Sequence, residues 1–226
     1  MNTDLSFRAK TRPGYTSSQP YIIRLIAHVI SIIFHPLFLP MYVCWFLAFV
    51  HPSYFAGFSG SYKSRVLLMV TVNAVIYPLI TVLLLKALGF VDTILFYSQQ
   101  DRILLYITSM IFFFWAQYSL REQPEIPRIL VAFMFGVFIS SAAALIANIY
   151  FKISMHAIGM GGLIGIGYVI MQQNTMLMTW PLSAAFLIAG LVCTARLMVS
   201  DHTQKEIYMG LLAGFLCQLV GAVVQL

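Results

Sequence analysis

Charge is scarce in this sequence. Only 9% of its 226 residues are Asp, Glu, Lys or Arg, and seven of those are acidic. A soluble domain has roughly a quarter of its residues charged, so a water-facing globular surface is excluded. Cysteine is scarce too. Cys44, Cys193 and Cys217 all fall inside apolar runs, with no Cys-x-x-Cys pair, which argues against a disulfide framework and leaves them as packing residues. Polar stretches are almost missing; the longest is the start, "MNTDLSFRAKTRPGYTSSQP". No internal repeat appears, and nothing suggests a second domain.

What is present is apolar. Hydrophobic residues make up 61% of the chain and the mean hydropathy is +0.89, values that mark an integral membrane protein. A helix crosses the hydrocarbon with roughly 20 apolar residues. Seven stretches qualify, at about 22–50, 66–89, 103–119, 129–150, 157–172, 178–195 and 207–226. The expected fold class is therefore all-α: a polytopic helix bundle with six to seven transmembrane helices. Residues 1–20 are expected as a cytoplasmic tail that stays on the chain, because the apolar run after them is too long for a signal-peptide core. Residues 21–226 then form one transmembrane domain. The first run contains His35-Pro36 and Pro40, so it is either kinked there or split into two segments.

Lys and Arg set the expected orientation. With seven spans, nine basic residues fall on the side that holds the N-terminus and 151–156, and four fall on the other. The first side is expected in the cytoplasm. Whichever way the chain faces, Arg102, Lys152, Ser154, His156, Arg196, Asp201, His202 and Glu206 map to one side, whereas Arg121 and Arg128 map to the opposite one.

Two polar clusters stand out on that side. One is "KISMH" at 152–156, just before a glycine-rich apolar run; the other is "ARLMVSDHTQKE" at 195–206. Titratable groups at membrane ends and depths are costly, which makes them functional candidates. Glu206 follows His202 by four residues, within reach of an imidazole N–H that it would orient. Ser154 is expected to cap a helix starting near 156 and turn its free N–H groups toward an anion. Two histidines, several cations, a hydroxyl and carboxylates suit phosphoryl transfer, with one histidine attacking phosphorus and the other protonating the leaving oxygen.

These residues resemble the type 2 phosphatidic acid phosphatase and vanadium haloperoxidase superfamily. Its third motif, Ser-Arg-x5-His-x3-Asp, is matched by Ala195-Arg196, His202 and Glu206, with Gly210 and Gly214 in the following helix. Its second motif, Pro-Ser-Gly-His, is matched by Ile153-Ser154-Met155-His156. A bacterial subgroup with Lys-Ile/Val-Ser-x-His and Arg-x4-Asp-His-Thr is closer still. The first motif, Lys-x6-Arg-Pro, is absent: Arg121 and Arg128 have its offset but no following proline. Met155 replaces a glycine and Glu206 an aspartate.

The resemblance implies a metal-independent lipid phosphatase of the bacterial inner membrane, with no cofactor. His202 would be the nucleophile, His156 the general acid, and Glu206 with Asp201 the orienting groups. Lys152, Ser154 and Arg196 would bind phosphate, with Lys152 and Arg102 standing in for the missing first motif. The partner would be a lipid phosphate or diphosphate, such as polyprenyl diphosphate, phosphatidylglycerophosphate or phosphatidic acid, in the bilayer. No nucleic acid is expected.

Plainer readings compete. His202 and Glu206 are also what a solvated helix start, or a metal site completed by His156 and Asp201, would contain. Lys152, Arg196 and Arg102 are also placed as snorkelling anchors. A metal-dependent hydrolase and an inactive lipid-binding or transport relative are the alternative functions. The glycines of 159–167 are expected to let helices pack closely. His28, His35, Asn73, Asn148 and Gln218 are expected to make buried interhelical hydrogen bonds.

Overall fold

The structure, a computed structural model, describes residues 20–91, 99–173, 178–199 and 202–226. Asp201 and the tail 1–19 lie outside the described residues. The protein is an all-α membrane bundle: the described residues contain no strand, and seven helical stretches are long and apolar enough to cross a bilayer. They match the seven expected runs. Several extend further into polar flanks, such as Gly60–Ala87 and Gln204–Gln225, because backbone hydrogen bonding continues past the point where hydropathy falls.

The first run is broken. Helix α1 (Tyr21–Ile33) ends before a single turn at Pro36–Phe38, and α2 (Leu39–Trp45) follows, closing with a wide π-turn over Phe46–Val50. Pro36 has no N–H to continue the α1 ladder. The His35 ring caps the turn that follows: its Nδ1 accepts the Leu37 N–H at 3.3 Å. With 13 residues, α1 is about 20 Å long, short of the roughly 30 Å hydrocarbon layer.

The second span joins α3 (Gly60–Thr71) to α4 (Tyr77–Ala87) through a π-turn at Val72–Ile76. That turn sits one helical turn before Pro78, where the missing proline N–H leaves a carbonyl to be re-accommodated. The remaining spans are α5 (Gln99–Arg121), α6 (Arg128–Tyr150), α7 (Met155–Gln173), α8 (Thr179–Val199) and α9 (Gln204–Gln225).

Helices α6 and α7 are the most buried spans, and the main core lies where α2, α3, α5, α6 and α7 meet, around Leu47, Leu130, Met134 and Ile170. Helices α7 and α9 are separated in the chain by α8, so they run parallel and begin on the same membrane side. Their backbones touch. A Cβ at Gly161 would fall on the Leu211 carbonyl, one at Gly214 on the Ile158 carbonyl, and one at Gly210 against Ser154 and Ala157. The close-packing role expected for the α7 glycines is met at Gly161 and Gly165 toward α9; Gly159 instead faces Pro36 and Leu39. Without side chains at these positions the start of α7 sits directly beside the first turns of α9.

Candidate functional site

Four chain segments converge where α7 and α9 begin: the α1–α2 break, residues 152–156, the end of α8, and residues 202–206. The innermost contact is local. The His202 Nδ1–H donates to Oε2 of Glu206 at 2.9 Å, and the same oxygen accepts the Thr203 backbone N–H at 3.2 Å. In return Thr203 Oγ1 accepts the Glu206 N–H at 3.3 Å. This is a reciprocal capping box. His202 therefore stands just before the helix, not on its face as the four-residue spacing suggests. One carboxylate oxygen both ends the helix and orients the ring. Because a carboxylate only accepts, Nδ1 carries the proton and Nε2 is left with a free lone pair.

The His202 and Glu206 side chains are 11% and 17% exposed. Burial pushes the His202 pKa below its ordinary value of 6.5. The Glu206 hydrogen bond pulls it back up, and the nearby cations Lys152 and Arg196 push it further down. The ring is thus neutral at neutral pH, and its contact with Glu206 is a hydrogen bond from a neutral donor. A neutral imidazole with a bare Nε2 is the form that can attack an electrophile.

Ser154 is fully buried. Its Oγ accepts the Ala157 N–H at 3.4 Å, so it is the expected cap, one residue earlier than expected, for a helix starting at Met155. His156 lies in the first turn of α7. Its Nε2–H donates to the Ser31 carbonyl at 3.1 Å, a contact across 125 residues of sequence. Its Nδ1 is the nitrogen left for another partner. The His35 ring stands edge-on to it, 5.1 Å between centroids at 87°. Arg196, in the last turn of α8, is the shared cation: it acts electrostatically on His35, His156 and His202. Lys152 acts on His202.

Arg102 lies on α5, where its Nε–H donates to Asn148 Oδ1 near the end of α6 at 2.9 Å, four residues before Lys152. It ties α5 to α6 beside the site. Arg121 and Arg128 are separated from Lys152 by the length of α6, 23 residues or about 35 Å. Their first-motif spacing therefore has no bearing on the site. Asp201 lies outside the described residues. Among the described residues no three His, Cys, Asp or Glu side chains converge to hold a metal ion, so His156, His202 and Glu206 do not form the trio a metal site needs.

His35 and Ser31 are additions to the expected set. His35 stands at a proline break inside an apolar run, where a buried interhelical hydrogen bond is expected; instead the ring is half-buried and its Nδ1 accepts from Leu37 in its own segment. The Thr203-x-x-Glu206 capping box was also visible in the sequence. Two other expectations are corrected. His28 is exposed, and Asn73 donates to Met69 O within its own helix rather than across helices. Asn148 and Gln218 do bridge helices, the latter donating to Phe133 O at 3.4 Å.

No family model, curated protein or solved structure matches this chain.

Proposed function

We propose that the protein is a membrane lipid phosphatase that hydrolyses a lipid phosphate monoester or diphosphate through a phosphohistidine at His202. The observation that carries this reading is the His202–Glu206 contact at 2.9 Å, which leaves Nε2 unprotonated on a ring that Lys152 and Arg196 both influence. In the first step the Nε2 lone pair of His202 attacks phosphorus and the bond to the lipid oxygen breaks. His156, which would take up a proton when the phosphate's negative charge lies beside it, gives that oxygen the proton. Arg196 and Lys152 hold the remaining phosphate oxygens and stabilise the charge spread over them. In the second step water attacks the phosphohistidine, His156 takes a proton from it, the P–N bond breaks, and inorganic phosphate leaves.

Other features support the same reading. Two parallel helices, α7 and α9, start at this end, and the positive ends of their dipoles favour an anion there. The resemblance of 152–156 and 195–206 to the phosphatidic acid phosphatase motifs points the same way. Glu206 and His202 supply orientation and attack from one short segment, so no metal is needed for either role. Arg102 is assigned to support Lys152 through Asn148, and Asp201 to assist Glu206.

The test is phosphate release by purified protein in detergent with EDTA present. Phosphatidic acid, phosphatidylglycerophosphate and polyprenyl diphosphate would be compared. Turnover that survives EDTA and drops by about 10⁴-fold or more in His202→Ala is expected, the size seen when a nucleophile is removed from a coupled set. Turnover that needs an added divalent metal would replace this mechanism with a metallohydrolase. No turnover on any lipid would favour a binding or transport role.

The site is assigned to the cytoplasmic face from the Lys and Arg distribution, and to a bacterial inner membrane from the motif resemblance. A single cysteine at exposed Lys205, in a chain lacking the three native cysteines, should react with impermeant maleimide in inverted vesicles only. Labelling in right-side-out vesicles would reverse the assignment.

A further inference from the structure

An apolar groove runs up to the polar end of the protein. Helices α1 and α8 pack together but leave between them a space of about 460 Å³, within the roughly 300–1,000 Å³ of typical ligand sites. Ala27 and Ile30 form one wall, and Leu187, Gly190, Leu191 and Ala195 the other. Each wall is continuous in sequence with a residue of the candidate site. Ala195 immediately precedes Arg196, and Ile30 immediately precedes Ser31, whose carbonyl holds His156. The groove is open sideways to the bilayer, since Leu187 is 66% and Leu191 46% exposed. Gly190 keeps it clear, because a Cβ there would meet nothing within 4 Å.

We infer that this groove binds one hydrocarbon chain of the phosphate-bearing lipid while its headgroup lies at Arg196 and His202. The inference rests on the phosphatase reading for the headgroup's identity. A chain leaving the bilayer for an apolar groove gains no hydrophobic free energy, because lipid tails are equally apolar. The groove therefore supplies registry: it fixes the direction from which phosphorus approaches His202. The headgroup supplies the preference for phosphorylated lipid. Occupancy of the groove should follow the headgroup, which separates a substrate chain from bulk lipid and from a second protein copy.

The experiment uses the full chain in phosphatidylcholine nanodiscs with phosphatidic acid carrying a mid-chain diazirine. After illumination, label should concentrate on the α1 and α8 peptides. It should be competed by unlabelled phosphatidic acid and not by added phosphatidylcholine of the same chain length. Gly190→Trp, whose Cβ meets nothing within 4 Å and whose ring would occupy the groove, should reduce that label. It should also lower the ratio of long-chain to dihexanoyl phosphatidic acid kcat/KM by about tenfold or more, the scale of a misplaced reacting group.

Label spread evenly over exposed faces such as Trp115, or competed equally by phosphatidylcholine, overturns the inference, as does cross-linking between copies in place of lipid. The labelling pattern of the unsubstituted protein decides the matter even if the tryptophan variant fails to fold. Selective labelling without any phosphate release would leave the groove standing and the phosphatase reading refuted. Phosphate release with unselective labelling would do the reverse.

Discussion

Replacing Glu206 separates its two structural duties. The side chain closes the capping box of α9 and holds the His202 Nδ1–H. Glu206→Gln keeps both geometries, because an amide oxygen still accepts and Gln is a natural capping-box residue. What it loses is charge. A hydrogen bond to a charged group contributes about 1.5–3 kcal/mol against about 1 for a neutral one, and the charge matters most when His202 becomes cationic on attack. The difference is about 0.5–2 kcal/mol, and at about 1.4 kcal/mol per decade of rate Glu206→Gln should cut kcat about 2- to 30-fold. Its unfolding midpoint in detergent should move little. Glu206→Ala should lose the cap as well, at about 1 kcal/mol of stability, and should fall further in rate because the ring is no longer held. The assay is phosphate release beside thermal unfolding on the same preparations. If Glu206→Gln keeps full activity while Glu206→Ala loses activity only as it loses stability, Glu206 is a helix cap and the orienting role is wrong.

Three further outcomes are expected. His202 has a folded pKa below its unfolded value of 6.5, so between those two values the unfolded chain holds the extra proton; stability should fall as pH drops from above 6.5 to the folded value and then level off. The unfolding midpoint of His202→Gln should be less pH-dependent than wild type across that window, and equal slopes would refute the burial argument. Gly214→Val places its Cβ on the Ile158 carbonyl and should force α7 from α9, costing about 1–3 kcal/mol and lowering activity with it; a variant of wild-type stability would contradict the close crossing. Arg102→Ala should lower stability by about 1–3 kcal/mol, through the Asn148 oxygen it leaves, and should reduce turnover less than Arg196→Ala does. The opposite ranking would move Arg102 into the phosphate site.

The spans were legible because bilayer thickness imposes a length that hydropathy records directly. Their interior detail was less so. Nothing in a hydropathy pattern says whether Pro36 kinks a helix or ends it; here the short α1 and the His35–Leu37 contact settle on a break. The polar site was partly readable because charge at the ends of apolar spans is rare enough in such a chain to mark itself, as at half-buried Lys152 and Arg196. His35 was harder. An apolar-run histidine more often satisfies a core hydrogen bond, and its place beside His156 depends on a contact between segments more than 100 residues apart. The capping box shows the limit of spacing arguments: His202 and Glu206 are four apart, but the first lies outside the helix that the second begins.

The central claim is that His202 carries the phosphoryl group, and it can be observed directly. The full-length protein would be mixed with phosphatidic acid in detergent and EDTA, quenched at alkaline pH, and digested for mass spectrometry. Phosphate on the peptide containing His202, stable to base, lost in acid and missing in His202→Ala, is the predicted result. Phosphate released into solution with no phosphorylated intermediate at any histidine, in wild type and in the slowed His156→Ala variant alike, would contradict the account.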